Sequence, residues 1–187
     1  MILFINACVR GQSRTKRLAE VLLEGRREEV TEICLERCAF PRVDEEFLCR
    51  RDRLVSEGKL DDPMFDLTNA FARADEIVIA APYWDLSFPA ALKQYLELVN
   101  VVGITFRYRS DGVPEGLCRA KKLTYVTTAG GPVVPEEFGY GYVKALCLGY
   151  YGIPEVCLVQ AAGLDIEGAD AEEILQREIR RLREEKA

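Results

Sequence analysis

The densest group of chemistry-bearing residues lies near the amino terminus, in Cys8-Val9-Arg10-Gly11-Gln12-Ser13-Arg14-Thr15-Lys16-Arg17, between an apolar run and a helical pattern. Hydroxyls on Ser13 and Thr15, the open amides of a first helical turn and several cations meet there at the positive end of a helix dipole. That is the chemistry of a phosphate cradle. Its spacing matches neither the Walker A sequence nor the G-x-G-x-x-G dinucleotide fingerprint, and an N-cap followed by exposed basic residues uses the same residue types. A second segment, Ala81-Pro82-Tyr83-Trp84-Asp85-Leu86-Ser87-Phe88-Pro89, holds two adjacent aromatics that can enclose a flat ring while backbone amides reach its polar edge. In a third, Thr127-Thr128-Ala129-Gly130-Gly131-Pro132, paired glycines permit close backbone approach to a ligand, although a plain turn needs glycine equally.

What is missing narrows the chemistry further. The 187 residues contain no histidine, which removes Ser/His/Asp and Cys/His catalytic arrangements and His-ligated metal sites. With 25 Lys+Arg against 31 Asp+Glu the net charge is −6, so there is no basic footprint for nucleic acid or an anionic membrane. The apolar start Met1-Ile2-Leu3-Phe4-Ile5 is too short for a signal segment and no apolar run of membrane-spanning length follows, so a cytoplasmic protein is expected. Cysteines at 8, 34, 38, 49, 118, 147 and 157 are odd in number and form no C-x-x-C pair, so reduced thiols are expected, with Cys118, Cys147 and Cys157 in the core.

Elements that alternate along the chain must position the three loops. Residues 2–7, 77–81, 123–128 and 156–162 are continuous apolar runs and read as strands buried on both faces, whereas 29–35 alternates and reads as an edge strand. Helical spacing starts near Ser13 and recurs over about 62–74, 89–101, 136–151 and 171–182. This pattern predicts a single α/β domain over 1–187, a doubly wound parallel five-stranded sheet with helices on both faces. In such a sheet ligands bind beyond the carboxyl ends of the strands, where the three loops fall. Two long segments, 38–61 and 103–121, read as lids, partner contacts or insertions, and 45–59 within the first as an amphipathic helix for a partner or for solvent.

Ser13-Arg14-Thr15, then Pro82-Tyr83-Trp84-Asp85 with Phe88-Pro89-Ala90-Ala91-Leu92-Lys93, then Gly103-Ile104-Thr105-Phe106-Arg107-Tyr108 and Thr128-Ala129-Gly130-Gly131 together resemble the flavodoxin-like NAD(P)H-dependent FMN oxidoreductases, in the azoreductase and NAD(P)H quinone dehydrogenase branch. The resemblance covers nearly the whole chain. It implies a flavodoxin-like sheet of order 2-1-3-4-5 holding one FMN, usually at a homodimer interface. It also implies a ping-pong reaction in which NADH or NADPH gives a hydride to flavin N5 and a quinone, azo or nitro compound then takes it. By resemblance, Cys8, Arg10, Ser13, Arg14 and Thr15 hold the phosphate; Pro82, Tyr83, Trp84, Asp85 and Leu86 line the ring; and Thr128, Ala129, Gly130 and Gly131 approach its N5 and O4 side. Tyr83, Trp84, Phe106 and Tyr108 are candidate walls for the small-molecule electron acceptor, Tyr108 from a partner subunit and Phe106 equally a core residue. No side chain is needed as a catalytic acid or base, and no metal is expected. A non-enzymatic FMN electron carrier of the flavodoxin type is the alternative.

The sequence departs from that family pattern at three positions. A thiol at Cys8 stands where serine is common, and Asp85 stands where asparagine is common. Ala129 precedes the glycine pair where arginine is frequent. The last two remove donor or positive character near the ring, which predicts a flavin of low reduction potential. A third chemical reading uses Cys34, Cys38 and Cys49, whose spacing fits no common iron-sulfur or zinc pattern but whose neighbours Arg37, Arg42 and Arg50 could lower a thiol pKa.

Overall fold

Each apolar run forms a strand whose alternate residues serve two different cores. The computed structural model describes residues 1–185. In chain order they form β1 (Ile2–Asn6), α1 (Arg14–Leu23), β2 (Val30–Cys34), α2 (Glu45–Ser56), α3 (Asp66–Arg73), β3 (Glu76–Ala80) and α4 (Ala90–Val99). There follow β4 (Phe106–Tyr108), β5 (Pro114–Gly116), β6 (Lys122–Thr128), α5 (Tyr140–Leu146), β7 (Glu155–Ala161) and α6 (Ala171–Glu184). Five strands make one sheet in the order β2-β1-β3-β6-β7, every neighbouring pair parallel. Counted among themselves they run 2-1-3-4-5, as expected.

The pleat sends successive side chains to opposite faces. Leu3, Ile5, Ile77 and Ile79 face a core completed by Phe71, Leu92, Tyr95 and Val99 from α3 and α4. Ile2, Phe4, Val78 and Ala80 face a second core completed by Leu18 of α1 and Leu175 and Ile179 of α6. Burial on both faces explains why these strands read as continuous apolar runs. β2 borders the sheet and its residues are exposed or half-buried, in keeping with its alternating sequence.

Several boundaries differ from the sequence reading. The long segment 103–121 is not a bare loop: β4 and β5 pair antiparallel, Phe106 opposite Gly116, and Arg107 pairs with Glu115 across them. The helix expected over 136–151 begins only at Tyr140, and Cys147–Tyr151 is a π-helical turn closed by Gly152 at φ 71°. The one over 62–74 starts as a 3-10 turn, Pro63–Phe65, capped by Asp62. Helix α2 lies inside the amphipathic segment expected over 45–59, with Asp44 as its N-cap. Cys118 and Cys147 are buried as expected, but Cys157 is only half-buried because β7 is an edge strand.

Candidate functional site

Because the sheet is parallel, the chain leaves β1, β3 and β6 at the same edge, and their adjacency in the order β1-β3-β6 brings the three loops side by side. Main-chain hydrogen bonds continue the sheet past the strand ends: Ala7 N–H donates to Ala80 O at 2.8 Å, Ala81 N–H to Val126 O at 2.9 Å, and Tyr83 N–H to Thr128 O at 3.1 Å. The fully buried Asn6 shapes the first loop, accepting from Cys8 N–H at 2.9 Å and donating to Glu32 Oε1 at 2.8 Å. Between the loops lies a cleft of about 470 Å³.

Arg10, Ser13, Arg14, Thr15, Pro82, Tyr83, Trp84, Thr128, Ala129 and Gly130 all line it. At the phosphate-cradle end Ser13 is the N-cap of α1, its Oγ accepting from Lys16 N–H at 3.3 Å, so the helix mouth opens into the cleft. Thr15 is buried, and its hydroxyl lies 2.7 Å from that of Thr128, tying the first loop to the third. The neighbouring cations are partly committed. Arg17 makes a forked pair with Glu172 at 2.7 and 2.8 Å, which holds that carboxyl down near a pKa of about 2, and Arg14 pairs with Asp165 at 2.9 Å. Arg10 is exposed and enters no ion pair among the described residues.

At the other end the chain turns sharply after Trp84. Trp84 N–H donates to Ser87 O at 3.0 Å and Ser87 N–H to Trp84 O at 2.8 Å, closing a two-residue turn over Asp85 (φ 50°) and Leu86 (φ 68°). Positive φ at both central positions defines a type I′ turn, normally the territory of asparagine and glycine. The turn lifts Leu86 into solvent and leaves Trp84 partly exposed over the cleft. Ser87 Oγ, by donating to Phe138 O, anchors the turn to the segment after β6.

Six of the expected residues lie elsewhere. Cys8 is turned into the core, its thiol against Ala80 O at 3.7 Å, and burial pushes its pKa up to about 11, so it is a poor phosphate donor. Asp85 and Leu86 form the turn tip and do not line the cleft. Gly131 is used instead by its carbonyl, which accepts from Gly163 N–H at 2.8 Å. Phe106 is buried, its ring tilted 45° against that of Tyr150 with centroids 4.6 Å apart, which makes it a packing residue in this chain. Tyr108 stands exposed on the β4–β5 hairpin, away from this cleft. Tyr83 does line the cleft, but its hydroxyl is buried without a hydrogen-bond partner among the described residues, beside Thr127, whose hydroxyl is likewise unpartnered.

Four wall residues escaped the sequence reading: Val9, Gln12, Leu164 and Asp165. The first two lie within the cradle segment itself. The others follow β7, where Leu164 N–H donates to Ala129 O at 3.2 Å and Asp165 N–H to Gly130 O at 3.0 Å, a connection with no local sequence signal. Cys34 and Cys38 line a separate open hollow with Arg37. There, burial raises the Cys38 pKa, opposite to the expected activation, while Arg42 pairs with Asp44 and Arg50 with Asp62.

A family model for the flavodoxin-like fold matches residues 1–185. The chain belongs to that family. Among curated relatives of this flavodoxin-like chain, the FMN-dependent NADH:quinone oxidoreductase 2 of Clostridium acetobutylicum is 34% identical over 96% of the chain and 94% of its own length. The FMN-dependent NADH:quinone oxidoreductase of Clostridium beijerinckii is 32% identical over 96% and 93%. Among solved structures, the azoreductase of Bacillus anthracis superposes with a TM-score of 0.83 at 26% identity, covering 98% of the flavodoxin-like chain and 96% of its own.

Proposed function

We propose that this protein is an FMN-dependent NADH oxidoreductase that reduces quinones and azo compounds, and nitro compounds by the same route, in a ping-pong cycle. The observation that carries this reading is the cleft itself, which joins a helix-mouth phosphate cradle at Ser13–Thr15 to a slot walled by Pro82, Tyr83, Trp84 and Gly130. Its volume lies within the usual range for cofactor pockets. The residues present fit FMN. Arg10, Arg14, Ser13 and the first amides of α1 would hold the phosphate, and the β3 and β6 loops would receive the ring edge. Relatives named for FMN, NADH and quinone align over nearly the whole chain.

When bound, the flavin supplies hydride acceptance and donation at N5, so the chain needs no acid or base of its own. Its residues bind, orient and exclude water. Trp84, at 39% exposure, offers an aromatic wall from which a nicotinamide or a quinone can be held against the ring, and the half-buried Tyr83 lines the cleft beside it. The exposed apolar rim at Leu86, Val133 and Phe138 supports a homodimer of this cytoplasmic, single-domain chain, with Tyr108 reaching a partner's site. Among the described residues no helix is long and apolar enough to cross a membrane.

The test is spectroscopic and kinetic. Protein mixed with FMN and freed of excess should show flavin bands near 375 and 450 nm, as oxidised flavins do, and should oxidise NADH only when menadione or an azo dye is present. Initial rates at several fixed acceptor concentrations should give parallel double-reciprocal lines. A protein that takes up no FMN overturns the proposal, and a yellow but inert one makes it an electron carrier.

A further inference from the structure

We propose that Asp165 sets the affinity and the phosphate selectivity of flavin binding by competing with the flavin's phosphate for Arg14. The inference rests on the reading that the phosphate lies at the mouth of α1.

Asp165 is held in the cleft by its backbone. Gly163, Leu164 and Asp165 donate successive main-chain hydrogen bonds to Gly131, Ala129 and Gly130, so the loop after β7 is stitched onto the loop after β6. From this fixed position the two carboxylate oxygens do different things. Oδ1 lies 2.9 Å from Arg14 NH1, at the cradle end. Oδ2 fills the space above Gly130, where an added Cβ would overlap it, at the ring end. One acid therefore touches both parts of the cleft assigned to the flavin, and it does so in a cradle where Arg17 is already taken by Glu172.

Two consequences share one sign. The pair with Asp165 occupies an Arg14 N–H that a phosphate would use, and the carboxylate places a like charge beside a phosphate that carries nearly two negative charges at neutral pH. A flavin without phosphate meets neither effect at the cradle. The cleft should thus bind FMN less tightly than its donors alone would allow, and Asp165 should narrow the gap between FMN and riboflavin.

Asp165→Asn keeps the size and one accepting oxygen while removing the charge. Dissociation constants for FMN and for riboflavin, read by quenching of flavin fluorescence at low salt, should show FMN about three- to fivefold tighter in the variant and riboflavin unchanged within about 1.5-fold. In about 0.5 M salt the gain should shrink to less than about twofold, because both charges are exposed, Asp165 at 70%, and are screened. Glu167→Gln makes the same change of net charge from an exposed position outside the cleft wall and should leave both constants alone. Equal or weaker FMN binding by Asp165→Asn overturns the proposal, as does an equal gain in Glu167→Gln or a matching gain for riboflavin. Failure of the unaltered protein and the variant alike to bind FMN overturns instead the functional reading beneath it.

Discussion

Replacing Gly116 by alanine should be among the most damaging single-methyl changes in this protein. Gly116 ends β5 and packs directly on the π-helical turn, where an added Cβ would overlap main-chain atoms of Tyr151 and Gly152 rather than a movable side chain. Tyr151 is fully buried and its carbonyl accepts from Cys118 N–H at 3.3 Å, so neither backbone can yield without giving up that bond and the tilted ring contact of Phe106 with Tyr150. Overpacking costs about 1–3 kcal/mol, a lost buried hydrogen bond about 1 kcal/mol and a weakened aromatic pair about 1 kcal/mol, which together predict a loss of about 3–5 kcal/mol. At about 2–4 °C per kcal/mol for a chain of this size, the melting temperature should fall by about 6–20 °C. Gly149→Ala is the matched control: it lies in the same turn, exposed, with no atom within 4 Å of the added methyl, and should gain up to about 1 kcal/mol from helix propensity. Circular dichroism melts of the two variants decide the matter. FMN affinity should hold within about twofold in Gly116→Ala, because the hairpin contributes nothing to the cleft wall. A Gly116→Ala melt within about 3 °C of the unaltered protein would refute the reasoning.

Alkaline pH should loosen the core through its thiols. Burial raises Cys8 to about 11 and Cys118 and Cys147 to about 12 from an ordinary 9.0, so the protonated forms stabilise the fold fully below about 9, and that contribution drains away as pH rises through 11 to 12; a melting temperature flat from pH 9 to 11 would contradict this. Under the same logic a thiol alkylating reagent at pH 8 should modify the exposed Cys49 long before Cys118 or Cys147, as peptide mass mapping would show. Tyr95→Phe removes a hydroxyl that is fully buried and unpartnered among the described residues while keeping the ring against Phe71, so stability should hold or rise by up to about 1 kcal/mol in denaturant titration. Ser13→Ala removes the N-cap of α1 and should cost about 1 kcal/mol of stability, with FMN binding weakened and riboflavin binding spared; equal loss for both flavins would mean that Ser13 acts only on the helix.

The fold was legible because its strongest local signals agree with its global plan. Strands buried on both faces must be apolar throughout, so β1, β3 and β6 announce themselves, while the apolar run at 156–162, which reads as a doubly buried strand, proves to be the half-buried edge strand β7; the apolar stripes of α1, α4 and α6 follow from the two cores they cover. The hairpin β4–β5 was not legible: its strands are three residues each and carry Arg107, Glu115 and Pro114, with little apolar alternation to read. What holds them is the close backbone contact of Gly116 with the π-helical turn, which no local pattern encodes.

The candidate site divides in the same way. Residue types alone removed every histidine-based mechanism, leaving carboxylates, thiols, tyrosines or a cofactor, and the phosphate cradle and aromatic slot turned that choice toward a cofactor. They also placed Ser13, Arg14, Tyr83, Trp84 and Gly130 near one another, because a parallel sheet delivers all its carboxyl ends to one edge. Tertiary structure decided what each then does. It turned Cys8 inward to Ala80, raised Asp85 and Leu86 onto a turn tip, and brought Asp165 to Arg14 across 151 residues of chain. Local sequence reports the burial and backbone preference of a residue, whereas the partner of a charge is set by where the loop after β7 crosses the loop after β6, a packing of strand ends visible only in three dimensions.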